Sequence, residues 1–187
     1  MTRQQALALL NKNITSPNLI RHCLAVEAVM RGLAKHFNEN VESWGIAGLL
    51  HDADYEQTKE TPNEHTKKTL EWLNEYDTGD DIKNAIIAHG WGFVDGSPEP
   101  KNNMEWSLYC CDELTGFIVA VALTRPSKQL ADVTIESIKK KWKEKSFASG
   151  VNREQVAKCE SKLKIPLDEF MQIALVAMQA IAQELGL

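Results

Sequence analysis

The sequence predicts an all-α protein, and three observations carry that prediction. Apolar residues recur at spacings of three and four along most of the chain, helix-start signals precede those runs, and no stretch alternates apolar and polar residues convincingly enough to make a strand. At 187 residues and 43% hydrophobic content, the chain has one domain's worth of length and enough apolar matter for a substantial core. No internal repeat or low-complexity tract interrupts it.

Ser16 followed by Pro17 is an N-cap and first-turn pair. Leu19, Val26, Val29 and Leu33 then recur at helical spacing, which predicts a helix over about 17–37. Residues 42–52 read as a short apolar helix ending at His51 and Asp52. Thr61-Pro62-Asn63-Glu64 is a capping box with proline at the first helical position, so a helix is expected from there through Trp72 and Leu73. Ile82, Ala85 and Ile86 make the apolar stripe of a helix over about 79–89. A loop rich in Gly, Pro and Asn covers 90–103, and the most apolar helix covers about 104–124, stopping before Arg125-Pro126. Three further helices open near Ser127 or Thr134, Asn152 and Pro166. The expected architecture is one domain over 1–187, a core of about 17–124 with a C-terminal helical extension over 125–187 packed on it.

With 21 Lys and Arg against 26 Asp and Glu, the net charge of −5 gives no general attraction to nucleic acid or anionic membrane. The charge is uneven: residues 39–81 hold 12 acids and 3 bases, whereas residues 125–164 hold 11 bases and 5 acids. The richest apolar cluster, Phe117 to Leu123, is far shorter than the roughly 18 residues that span a bilayer, and the polar start at Met1 to Gln5 is unlike a signal peptide. Cys23, Cys110, Cys111 and Cys159 include no CxxC pair and read as reduced, buried thiols. A cytoplasmic protein is expected.

The histidines give the functional signal. His22 shares the apolar face of its helix with Leu19, Val26 and Val29, and so points inward. His51 and Asp52 close a run too apolar for a solvent face. His65 lies in line with Trp72, and His89 follows Ile86 and Ala85 at a helix end. Asp112 falls in the middle of the most apolar helix, aligned with Leu108, Thr115 and Val119, and no Lys or Arg lies within a helical turn of it. Burying an unpaired carboxylate there costs several kcal/mol, and a divalent metal with imidazole neighbours compensates. Fe, Mn, Zn, Co and Ni all suit such a donor set. Taken singly, each His also reads as a hydrogen-bonded core residue, and Asp112 as a partner of Thr115 or of backbone. Taken together, they leave only His36 outside the set.

His22, then His51-Asp52, then Asp112, on successive helices of an all-α chain, resembles the HD superfamily of metal-dependent phosphohydrolases. The phrase Gly48-Leu49-Leu50-His51-Asp52 sharpens the likeness, which covers about 17–124. The stretches Asp112-Glu113-Leu114-Thr115-Gly116, Arg125-Pro126-Ser127-Lys128 and Lys145-Ser146-Phe147-Ala148-Ser149-Gly150-Val151 look like a branch of predicted HD hydrolases. The resemblance implies a helical bundle of about five core helices. It also implies a metal held by His22, His51, Asp52 and Asp112, and a metal-activated water that attacks phosphorus. Two further histidines between the doublet and the last Asp imply a second ion, which places His65 and His89 on it and Asp52 between the two. Ala53-Asp54 stands where one subgroup has Ile-Gly, and the Gly-Tyr-Pro signature of cyclic-dinucleotide phosphodiesterases is absent, which disfavours cyclic di-GMP. Two-metal members also include di-iron oxygenases, and a metal-bound sensing module without turnover is a third reading.

Asp54 and Glu56 are candidates to orient water or protonate a leaving group beside Asp52, or else belong to a solvated loop. Lys59 could meet a phosphate or be a surface lysine. Lys128, Lys145 and Arg153 are candidate substrate-binding cations, at least one of which is expected at the mouth of the site. The expected partner is a small phosphorylated substrate, a nucleotide among the candidates. Lys139-Lys140-Lys141-Trp142-Lys143 reads as a solvated helix face rather than a nucleic-acid surface. The Phe170, Ile173, Ala174, Val176, Ala177, Ile181 stripe reads as core or as a homodimer contact.

Overall fold

Thr2 and Gln5 cap each other in a reciprocal box, and the computed structural model, which describes residues 1–187, opens with helix α1, Arg3–Asn13. Ala6, Leu9 and Leu10 of α1 are buried at i, i+3 and i+4, a helical spacing that follows the Thr-x-x-Gln start signal. α2, Pro17–Phe37, follows with Ser16 as its N-cap, and α3, Val41–Leu50, is capped by Asn40. α3 is buried along nearly its whole length and lies directly on α2.

Two glycines set how close these helices come. A Cβ at Gly48 would stand 2.9 Å from the Val26 carbonyl oxygen and 3.0 Å from the Glu27 Cα, backbone atoms that cannot turn aside. A Cβ at Gly45 would stand 2.6 Å from the Arg31 Nε. That Arg31 also serves the same junction: buried Glu27 accepts from Arg3 Nε at 2.6 Å and Arg31 Nε at 2.9 Å, so the one carboxylate faces two guanidinium groups. The close approach brings the end of α3, with His51 and Asp52, opposite His22. Gly48→Ala is therefore expected to destabilise the fold by about 1–3 kcal/mol through overpacking, read as a lower midpoint in denaturant.

The predicted helix from Thr61 is two pieces. After the short α4, Tyr55–Thr58, a single 3₁₀ turn covers Pro62–Glu64, and α5 begins only at Lys67 and runs to Leu73. Between them Thr66 is held at φ 72°, a left-handed conformation that costs a β-branched residue about 1–3 kcal/mol. The break lies beside His65 and frees its ring to meet Asp54, so the strain sits next to a site residue. α6, Asp80–His89, and α7, Asn103–Leu123, match the ranges that their apolar stripes predict. α7 is a single helix of 21 residues, long and apolar enough by composition to cross a membrane, where the sequence shows only short apolar clusters. Its most apolar window is 67% buried against the other helices, which makes it the central core helix of the bundle.

Past α7 the chain forms α8, Ile135–Trp142, capped by Thr134, and α9, Arg153–Lys158, capped by Asn152. A π-turn over Cys159–Leu163 leads to α10, Leu167–Gln179, and then to α11, Ala182–Leu185. α10 buries Phe170, Met171, Ala174, Leu175 and Met178 against α2, α7 and α8, and leaves Val176 exposed. One core cluster thus reaches from Ala6 to Leu185.

A two-set histidine and aspartate centre

His22 projects from α2, His51 and Asp52 follow the end of α3, His65 sits in the break before α5, His89 ends α6, and Asp112 lies midway along α7. Five segments therefore converge on one point. His22 Nε2 lies 3.2 Å from His51 Nε2 and 3.0 Å from Asp112 Oδ1, and His51 Nε2 lies 3.4 Å from the same oxygen. On the other side, His65 Nε2 lies 3.0 Å from His89 Nε2, and the two stand 3.3 and 3.6 Å from Asp52 Oδ1. Asp52 turns its second oxygen the other way, with Oδ2 at 3.7 Å from His22 Nε2 and 3.6 Å from His51 Nε2. One carboxylate thus lies between two triads, His22, His51, Asp112 and Asp52, His65, His89.

The donor set can be tested against a cation without reference to any family. Each imidazole has its Nδ1 engaged on the outside of the cluster: His51 donates to the Gly48 carbonyl at 2.8 Å and His89 to the Ile86 carbonyl. His65 Nδ1 meets Asp54 Oδ1 at 2.8 Å, and His22 Nδ1 faces the Thr115 hydroxyl at 3.3 Å. That hydroxyl donates to the Asp112 carbonyl at 2.8 Å, which leaves it an acceptor toward His22. All four rings therefore direct Nε2 inward, and the interior of the cluster consists of four ring nitrogens and two carboxylates. Triangles of this size set each donor about 2 Å from a common centre, close to the 2.0–2.2 Å of metal–nitrogen and metal–oxygen bonds. The residues fit one or two divalent metal ions.

The electrostatics point the same way. Burial disfavours charge on the His51 ring, yet Asp52 and Asp112 outweigh it and push its pKa up to about 9. His65 likewise rises to about 9, its burial overcome by Asp52 and Asp54. Burial and the neighbouring charges of His51 and His65 hold His89 below the usual value. Asp52 and Asp112 sit well below the carboxylate range despite burial, because the facing imidazoles favour their charged forms. Protons on the rings supply the positive charge that a metal would otherwise bring. The centre is most exposed at His22 and Asp112, whose side chains are 24% and 20% exposed, whereas His51 is fully buried.

The structure gives the supporting residues different work from that expected. Asp54 is fully buried behind His65, and its second oxygen accepts from the Thr69 amide at 3.1 Å, so it orients a ring instead of meeting water or a leaving group. Glu56 accepts from the Thr15 amide at 3.0 Å and the Ser16 amide at 2.6 Å, which ties the loop after α1 to α4, and it lines the cavity that reaches His22 beside Lys59. Arg153 is not at the mouth: its guanidinium donates to the carbonyls of Trp142, Glu144, Phe147 and Ala148 and stacks over Phe117 and Trp142. Lys128 and Lys145 line neither cavity that reaches His22. The cations that do are Lys59 on one side and Arg21 on the other. Sequence reasoning passed over Arg21 and Asn18, although Asn18 stands at i−4 and Arg21 at i−1 to His22. Exposed Tyr55 and Phe93 flank His65 with ring centroids 6.0 and 6.4 Å away. Asp54→Ala is expected to weaken metal binding at the His65 side about 10–100-fold, measured by calorimetric titration, because the ring loses the group that fixes its orientation.

The HD domain family model matches residues 19–105, a stretch that contains His22, His51, Asp52, His65 and His89 and stops short of Asp112. No curated protein matches the chain. The missing member of the set is supplied by geometry, since α7 brings Asp112 to 3.0 Å from His22. The all-helical bundle and that match from α2 to the start of α7 show that residues 19–105 form an HD domain, a family whose members are mostly metal-dependent hydrolases.

Proposed function

We propose that the protein is a cytoplasmic metal-dependent phosphohydrolase that cleaves a phosphate ester or anhydride of a nucleotide or other small metabolite. The observation that carries this reading is the Asp52 carboxylate set between two triads, each of two imidazoles and one carboxylate. His22, His51 and Asp112 on one side and Asp52, His65 and His89 on the other would hold divalent ions, which would supply Lewis-acid polarisation of a phosphoryl oxygen and of water. The chain's own contribution is orientation: Asp54, Thr115 and two backbone carbonyls fix the rings, and the partly exposed His22 and Asp112 leave an open face for an anion. Lys59 and Arg21, in the cavities on either side of His22, offset the charge of that anion as it approaches. All four cysteines are free and buried, and burial pushes their thiols up, which suits a reducing compartment.

Metal-loaded protein incubated with a panel of nucleotides and sugar phosphates is expected to release inorganic phosphate or a nucleoside phosphate, and a chelator is expected to stop it. Two imidazoles and a carboxylate on each side also suit iron, which supports a di-iron oxygenase as the second reading. Oxygen consumption that depends on bound iron, with no phosphate released from any panel member, would establish that reading instead.

A further inference from the structure

Resting on the phosphohydrolase reading, we infer that the cavity between α2, α7 and α11 holds the organic part of the substrate, an aromatic or nucleoside group carried on the phosphoryl oxygen. His22 forms one end of this cavity, which has a volume of about 430 Å³ and falls within the range of small-molecule sites. From that metal-facing end it runs along α7, past Gly116 and Val119 to Leu123, with Ala25 of α2 and Leu185 of α11 as its other walls. Those walls are aliphatic. Besides His22 and Thr115 at one end, its polar side chains are Asn18 and Arg21 on the N-terminal part of α2, and Gly186 and Leu187 complete the lining. An apolar body with a polar or anionic group on one side fits this distribution, and inorganic phosphate alone would leave the walls bare.

Gly116 shows where that cavity has room. Glycine in the interior of a helix weakens it relative to alanine, and is usually kept because a neighbour stands too close for a Cβ. That explanation holds at Gly48 and not at Gly116, which is exposed and whose Cβ would meet nothing within 4 Å. The empty space in front of it is this cavity. Gly116 lies one helical turn beyond Asp112, so a side chain there would project into the space next to the phosphoryl site and touch nothing else. An exposed glycine that leaves the space beside His22 open suits a binding pocket.

The test uses two phosphonates that differ only in their organic part, titrated calorimetrically into metal-loaded full-length protein. Methylphosphonate reaches the metal centre alone, whereas phenylphosphonate also fills the cavity. Wild type is expected to bind phenylphosphonate about tenfold more tightly, the gain from burying part of one ring. Gly116→Leu is expected to abolish that preference while metal content and methylphosphonate affinity stay at wild-type values. Val119→Phe fills the same space from the next turn of α7 and keeps the test sound if Gly116→Leu does not fold. Equal affinities in wild type, or a preference that survives both substitutions, overturns the assignment of the cavity and leaves the phosphoryl site standing. Failure of metal-loaded wild type to bind either phosphonate overturns the phosphohydrolase reading, and the cavity's role with it.

Discussion

Asp52→Ala is expected to empty the His65 side of the centre and weaken the other, where Asp112→Ala is expected to affect only the His22 side. Asp52 is the single residue with an oxygen facing each triad: Oδ1 faces His65 and His89, and Oδ2 faces His22 and His51. Its removal leaves the four inward ring nitrogens with one carboxylate between them, and the His65 side with none. Metal analysis of protein dialysed against trace metal should then show at most one weakly held ion in Asp52→Ala. Asp112→Ala should retain the ion held by Asp52, His65 and His89. Phosphate release should fall at least about 10³-fold in Asp52→Ala, the scale on which loss of a group stabilising transition-state charge is felt. Because the Asp52 side chain is 13% exposed and lies at the end of α3 rather than within it, the fold should survive, which a helical circular-dichroism spectrum checks. An Asp52→Ala protein with the wild-type metal content would remove the basis for the proposed function.

How much of this could be read in the sequence depends on what kind of signal each residue leaves. His22, His89 and Asp112 betray themselves because each is a polar residue in register with an apolar stripe, and helical periodicity alone turns it inward. Pairing them into two triads needs three dimensions, since the two oxygens of Asp52 face opposite ways and no spacing encodes that. Asp54 shows the limit well. In the sequence it is an acid two residues past a ligand, and the same pattern describes a catalytic acid or a solvated loop. Only the fold shows that the break at Thr66 turns His65 and the Thr69 amide onto it. Arg153 misleads for a related reason: a lone cation near a glycine-containing turn looks available, but the turn itself presents four carbonyls that consume its donors. Gly45 and Gly48 record a contact between helices, and a glycine carries no mark of which neighbour requires it.

Raising the pH is expected to have opposite effects on the metal-free and metal-loaded proteins. Without metal, His51 and His65 hold their protons up to about pH 9, against an ordinary value near 6.5, because Asp52, Asp112 and Asp54 favour the charged rings over the cost of burial. A group whose pKa is raised on folding stabilises the fold fully below its unfolded value and loses that contribution as pH rises through the folded one. The metal-free protein should therefore lose thermal stability between about pH 6.5 and 9, as the centre is left with two carboxylates and ring lone pairs facing one another. Metal binding runs against the same protons. Loading both sides at pH 7 expels one proton from each of the two rings, so the overall association constant should rise about 100-fold per pH unit and level off near pH 9. The loaded protein should consequently keep its melting temperature across the window in which the metal-free protein loses it. Parallel melting curves at pH 6.5 and 9, with and without metal, separate the two behaviours. Coincident pH dependence in both forms would mean that the rings exchange no protons for metal, and that the convergence of four imidazoles is packing rather than a binding site.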